Sequence, residues 1–186
     1  GCASGEEVYA IAICLLEFLK ENAAHFPIQI FGTDLSAIAI QKARKGLYPE
    51  NIAEDVSPER LQSFFVKRDD GYQIASAVRD VCIFANHDRI SDPPYSKLDL
   101  ISCRNVLIYL DSIQARIIPM FHYALKPAGF LMLGVMETAR RFSDLFAPVD
   151  KYSPIYSKKP ATDRHFWRWG SAKAAVPATA RSPGDG

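Results

Sequence analysis

Apolar runs of five to seven residues alternate with stretches of helical periodicity from residue 6 to about residue 158, and this alternation restricts the fold more than any other feature. Val8, Ile11, Leu15 and Leu19, with Ile13, Leu16 and Phe18 beside them, predict a helix over residues 6 to about 24. Ile28–Asp34, behind Pro27, reads as a buried strand. Ser36 is placed to cap a second helix running to about Arg44, with Gly46 ending it. Ser57-Pro58-Glu59 combines a cap, an N1 proline and an early acid, and predicts a helix near 58–64. Phe65–Arg68 and Tyr72–Ala75 flank Asp69-Asp70-Gly71 as a hairpin. Val81–Ala85, Leu98–Cys103 and Gly129–Val135 are strand-like, and Ser112–Leu125 is helical by its Ile113, Ile117, Phe121 and Leu125 spacing, with Pro119 expected to kink it. Leu145–Val149 and Ser153–Ser157 are expected to close the sheet as an antiparallel pair.

Strand and helix in alternation with short connections predict an α/β fold, a doubly wound and mostly parallel sheet. The domain is expected over residues 1–160, with 161–186 a disordered tail or linker rich in Gly, Ala, Pro and Ser. GCASGEE reads as a strand-to-helix turn, which implies a first strand upstream of Gly1 in a longer protein; without it, weak ligand binding and little activity are expected of this segment. Lys and Arg number 22 against 21 Asp and Glu, so the chain has no general electrostatic reason to bind nucleic acid or an anionic membrane. The longest apolar run, Val8–Leu16, is nine residues against the roughly 20 that span a bilayer, so membrane insertion is not expected. Cys2, Cys14, Cys82 and Cys103 are widely spaced in apolar surroundings and read as reduced packing residues of a cytoplasmic protein. The four histidines lack ligand spacing, and no metal is expected.

In a doubly wound fold ligands sit at the carboxyl ends of the strands. This criterion selects Gly1–Glu7, Thr33–Ser36 and Ala85–Arg89, with Ser102–Tyr109 expected beside them. A dinucleotide site needs a glycine-rich turn that admits a pyrophosphate to a helix N-terminus. Here the turn G-C-A-S-G leads into Glu6 and Glu7, whose carboxylates repel phosphate and suit a cation. Asp34 ends the next strand with the chemistry to accept from two ribose hydroxyls. A nucleoside bearing an ammonium and no phosphate fits both, and S-adenosylmethionine is the common example. Each Glu alone also serves as an ordinary acid complementing the helix dipole. Arg104 and Asn105, delivered by an apolar strand, mean either buried structural hydrogen bonds or a site.

The motifs GCASGEEVYAIAI, FGTDLS with AIQKARKGLYP, LDLISCRNVLIYL and ALKPAGFLMLG together resemble the chemotaxis-receptor methyltransferases, the CheR family, over residues 1–158. The stretches HDRISDPPYSKLDLISCRN and LFAPVDKYSPIYSKKP are most similar to versions fused to methylesterase and PAS sensor modules. The resemblance implies a class I S-adenosylmethionine-dependent methyltransferase fold, with methylation of glutamates on the cytoplasmic helices of methyl-accepting receptors. It assigns Glu7 to the cofactor's amino acid end, Asp34 to its ribose, Asp88 and Arg89 to the surroundings of the adenine, Arg104 and Asn105 to further cofactor contacts, and Tyr109 to the neighbourhood of the transferred methyl. Arg104 and Tyr109 are the residues it implies in catalysis. It also makes residues 48–80 a small β-containing insertion, a subdomain that docks a receptor tail in some members. The sequence departs from the family at Asp88-Arg89 and at Val135-Met136, where a more polar pair is usual. Those departures leave a second reading open, a non-catalytic module that binds cofactor or receptor within a multidomain sensor. A third reading is a small-molecule or other protein methyltransferase on the same fold.

Overall fold

The protein is described by a computed structural model that covers residues 1–88, 92, 95–109 and 114–160, with Tyr109 described in its backbone alone. The chain divides into two compact units, Gly1–Pro93 and Pro94–Gly186.

In the first unit, the predicted apolar run becomes β1 (Ile30–Asp34), which pairs in parallel with β5 (Cys82–Asn86) from Ile30↔Cys82 to Asp34↔Asn86. Helix α1 (Glu6–Glu21) packs on this pair through Val8, Tyr9, Ala12 and Ile13, all buried. Helix α2 (Ala37–Lys45) begins as expected, with the Ser36 side chain accepting from Ala39 N, and ends at Gly46 with φ 56°. Gly46 sits in the left-handed region that glycine enters at little cost, and its N–H closes the last turn on Lys42 and Ala43. The side chains that meet in the core are Ile40, Ala43, Val78 and Phe84, with the Phe84 ring edge-on to Tyr9 at 5.3 Å.

The insertion is a three-stranded antiparallel sheet in the order β2-β4-β3, made of β2 (Leu47–Tyr48), β3 (Phe65–Arg68) and β4 (Gly71–Ile74). Asp69 and Asp70 form its hairpin turn. Gly71, at φ 138°, permits a close approach, because a Cβ there would overlap the Tyr48 carbonyl. Helix α3 (Pro58–Phe64) has Ser57 as its cap and Pro58 at its start. Among the strands and α-helices, two escaped the sequence reading: β2, only two residues long, and α4 (Ser76–Arg79), a single turn. Neither is long enough to display a period. Helix α1 also stops at Glu21, earlier than expected, because a left-handed Ala23 closes its end, with Ala23 N and Ala24 N donating to the Lys20 and Leu19 carbonyls.

The second unit holds a four-stranded sheet in the order β6-β7-β9-β8. Strand β6 (Leu98–Cys103) runs parallel to β7 (Leu125–Leu133). Strands β8 (Phe146–Pro148) and β9 (Ile155–Lys158) form the expected antiparallel pair, and β9 also lies antiparallel to β7. Strand β7 starts at Leu125 rather than Gly129. Its first residues run extended beside Leu98, and the register shifts before Leu100 meets Phe130. Helix α5 (Gln114–Ala124) carries Pro119 inside it and buries Ile117, Ile118 and Phe121 against Leu131, Leu133 and Phe146. The first residues of the helix expected from Ser112 lie outside the described residues.

The cysteines are less uniform than their apolar surroundings suggested. Cys103 is buried, Cys2 and Cys82 are half-buried, and Cys14 is exposed on α1 because it falls on the helix face opposite Val8 and Ala12. Among the described residues no helix is long and apolar enough to cross a membrane.

Burial, reinforced by the neighbouring Cys82 thiol, pushes the Tyr9 phenol from its ordinary 10 up to about 12. Its hydroxyl donates to the Ala43 carbonyl at 2.7 Å, so the neutral form is the one the fold holds. A group whose pKa is raised on folding stabilises fully below its unfolded value and loses that contribution as pH rises through the folded value. Stability should therefore fall between about pH 10 and pH 12. Urea unfolding across that window tests this, and Tyr9→Phe should flatten the decline.

Candidate functional site

A parallel strand that ends in a loop exposes backbone groups in need of partners, and here carboxylates supply several of them. Asp34 is the last residue of β1. One of its oxygens accepts from Ala3 N at 3.0 Å and the other from Ser36 N at 2.9 Å. It thus ties the turn before α1 to the turn before α2. Cys2 N donates to the Thr33 carbonyl at 2.9 Å, which lays the Gly1–Glu7 turn along the end of the strand. Tyr48 of the small sheet donates its hydroxyl to the Ser4 carbonyl at 2.9 Å, and Gly5, at φ 92°, leads into α1.

Glu6 and Glu7 stand in the first turn of α1, the former exposed and accepting from the Ser4 hydroxyl at 2.8 Å, the latter half-buried. The third predicted segment lies alongside. Asn86 pairs with Asp34 in register, and its side-chain amide donates to the Leu35 carbonyl at 2.7 Å. His87 N donates to the Asp34 carbonyl at 3.2 Å. Asp88 follows, its N–H donating to the Asp92 carboxylate and its carbonyl accepting from Asp92 N, both at 2.8 Å. The first unit therefore gathers Glu7, Asp34 and the Asp88 loop at one end of the β1–β5 pair, and Arg89 lies outside the described residues.

In the second unit β6 delivers Arg104 and Asn105, both exposed, just past its last residue, Cys103. Asn105 is left-handed at φ 57°. A 3-10 turn, Leu107–Tyr109, follows, and the Tyr109 side chain lies outside the described residues.

One residue at this strand end escaped the sequence reading. Glu137 is 7% exposed, yet its carboxylate accepts from five backbone N–H groups. Asn105 N and Gly134 N bond one oxygen at 3.0 and 2.7 Å; Val106 N, Leu107 N and Ile108 N bond the other at 2.8, 2.7 and 3.4 Å. The visible signal was an acid three residues past the glycine that ends an apolar strand, in LGVMET. Val135 and Met136 stand between that glycine and the acid. Both of those side chains are exposed, and with Asn105, Ile108 and Glu137 they line a pocket of about 60 Å³.

Residues 1–153 match the SAM-binding domain of the CheR methyltransferases. The chain belongs to that family. The match is to the S-adenosylmethionine-binding domain, whose class I α/β fold agrees with the parallel strand pairs described above. Among relatives, the chain is 36% identical over 171 residues to a 104.1 kDa protein in the hypE 3′ region of Rhodobacter capsulatus, covering 88% of this chain and 18% of that one. It is 34% identical over 145 residues to a chemotaxis protein methyltransferase of Borreliella burgdorferi, covering 75% of this chain and 51% of the relative. A chemotaxis protein methyltransferase 1 of Pseudomonas aeruginosa is 33% identical over 154 residues, covering 80% and 56%. The chain thus spans about half the length of these two methyltransferases.

The residues of the first unit fit the family's cofactor. Two backbone N–H groups, one on each oxygen, fix the plane of the Asp34 carboxylate, while its side chain stays 17% exposed. That is the disposition a bidentate acceptor for a diol needs. The acids at the head of α1 oppose phosphate and favour an ammonium.

Tyr48 connects this turn to the small sheet, so its hydroxyl should matter to both. Tyr48→Phe is expected to cost about 1 kcal/mol in urea unfolding, the net worth of one buried hydrogen bond. Amide exchange of Gly5, whose N–H bonds the Cys2 carbonyl, should quicken in the same variant.

Proposed function

We propose that the full-length protein transfers the methyl of S-adenosylmethionine to glutamate side chains on the cytoplasmic helices of methyl-accepting chemotaxis receptors, forming methyl esters. The observation that carries this reading is the acidic turn at Gly1–Glu7 clasped to Asp34, within a chain of the CheR methyltransferase family. Relatives named as chemotaxis protein methyltransferases support the receptor as substrate.

In this reading Asp34 accepts from the ribose hydroxyls, Glu7 from the amino group, and Asp88 and Arg89 border the adenine. Arg104 and Asn105 are the further cofactor contacts, and Tyr109 lines the path of the methyl. The cofactor supplies an electrophilic methyl group on a sulfonium. The acceptor glutamate is ionised near pH 7, so the protein has no general base to provide. Its task is to orient and to exclude water, effects that lower a barrier by up to about 7–11 kcal/mol. Tyr109 and Arg104 take that task at the reacting end, Arg104 by steering the cofactor or the incoming carboxylate. The protein acts in the cytoplasm, and the similarity of HDRISDPPYSKLDLISCRN to fused family members supports methylesterase and PAS modules as its covalent neighbours.

Labelled methyl transfer from S-adenosylmethionine to receptor membranes by the full-length protein tests the reading. Base-labile label on receptor is expected; cofactor binding without transfer would instead favour the sensor module. If Asp34 holds the ribose, Asp34→Ala should weaken S-adenosylhomocysteine binding by roughly tenfold to over a hundredfold, the worth of charge-assisted bonds of about 1.5–3 kcal/mol. Calorimetry on the folded variant checks this, and unchanged affinity would remove Asp34 from the site.

A further inference from the structure

We propose that Glu137 is a positioning residue, whose buried carboxylate preforms the Arg104–Asn105 arm of the cofactor site by holding two strand-end turns on one side chain. The proposal rests on the assignment of Arg104 and Asn105 to the cofactor.

Cys103 and Leu133 are register partners at the ends of the parallel strands β6 and β7. Each strand leaves the sheet into a turn, and the two turns have no ladder left to share. Glu137 replaces that ladder. Its Oε2 accepts from one turn through Gly134 N and from the other through Asn105 N. Its Oε1 collects Val106, Leu107 and Ile108. Four consecutive amides can converge on the two oxygens of one carboxylate only if the backbone curls, and the left-handed Asn105 provides the curl. The carboxylate thus occupies the place where such a nest would otherwise receive an anion from solution. Arg104 and Asn105 sit at the mouth of this curl and inherit its geometry.

The packing leaves the clasp little latitude. A Cβ on Gly134 would stand 2.7 Å from Asn105 Oδ1, 2.8 Å from Glu137 Oε2 and 2.9 Å from Asn105 N. Glutamine, though isosteric, presents its NH₂ to N–H groups on one side or the other, and a buried donor facing donors is unsatisfied.

A purely structural role predicts that Glu137→Gln lowers the melting temperature and leaves affinity per folded molecule intact. Positioning predicts more. In full-length protein held well below its melting temperature, Glu137→Gln should bind S-adenosylhomocysteine at least tenfold more weakly by calorimetry. Amides 105–108 should exchange at least tenfold faster, while Leu131–Leu133 in the strand keep their protection. Asp99→Asn, which breaks an exposed ion pair with Lys126 on the same sheet, should change neither readout. If Glu137→Gln does not fold, Gly134→Ala tests the same arm by pushing on it directly, with the same two readouts expected to move. Wild-type binding that survives substitution at Glu137 or Gly134 within twofold, or wild-type amides 105–108 that exchange like open chain, would overturn the proposal alone. A wild-type protein that does not bind S-adenosylhomocysteine would overturn the cofactor reading and this proposal with it.

Discussion

Where a parallel strand ends, the chain must turn away from the sheet, and the amides it exposes need acceptors that the sheet no longer offers. In both units of this protein that need is met by a carboxylate. Asp34 joins Ala3 N and Ser36 N at the end of β1, and Glu137 joins five amides at the ends of β6 and β7. An acid in this position fixes a loop at an atomic site without lengthening a helix or strand. It also sets the local charge. At the β1 end, where Glu6 and Glu7 of the adjoining helix add to Asp34, that charge opposes phosphate.

The same requirement links the elements around the site. The Gly1–Glu7 turn is held from below by Asp34 and Thr33, and from the small sheet by Tyr48. Tyr48 itself is buried, as is Tyr9, whose ring meets both Tyr48 and Phe84 edge-on. Burial raises the Tyr48 phenol far above its usual range, so it remains a hydrogen-bond donor wherever the fold persists. The insertion is therefore joined to the candidate site by a specific bond as well as by the chain, through β2, which the helical and strand periods of the sequence did not reveal.

Much of the fold was legible because burial writes itself into sequence as a period. The strands β1, β5 and β6 and the helices α1, α2 and α5 follow apolar patterns, and Ser36, Ser57 and Gly46 act as the punctuation they resemble. What was not legible lacks a period. Strand β2 and helix α4 are too short, and the exposed position of Cys14 depends on which helix face meets the sheet. At the candidate site, the positions of Glu7 and Asp34 were readable because each lies where a strand or turn hands over to a helix. Glu137 was not, because its partners are backbone amides that carry no residue identity. Five donors around one buried acid leave a single letter in the sequence.

The central claim is that the acidic turn and Asp34 receive an adenosine that carries a cation in place of phosphate. Calorimetric titration of the full-length protein with S-adenosylhomocysteine and, separately, with ADP tests it most directly, since the two share adenosine and differ in what is attached. Saturable binding of S-adenosylhomocysteine is expected, with at least a hundredfold weaker binding of ADP. Equal or tighter binding of ADP would contradict it.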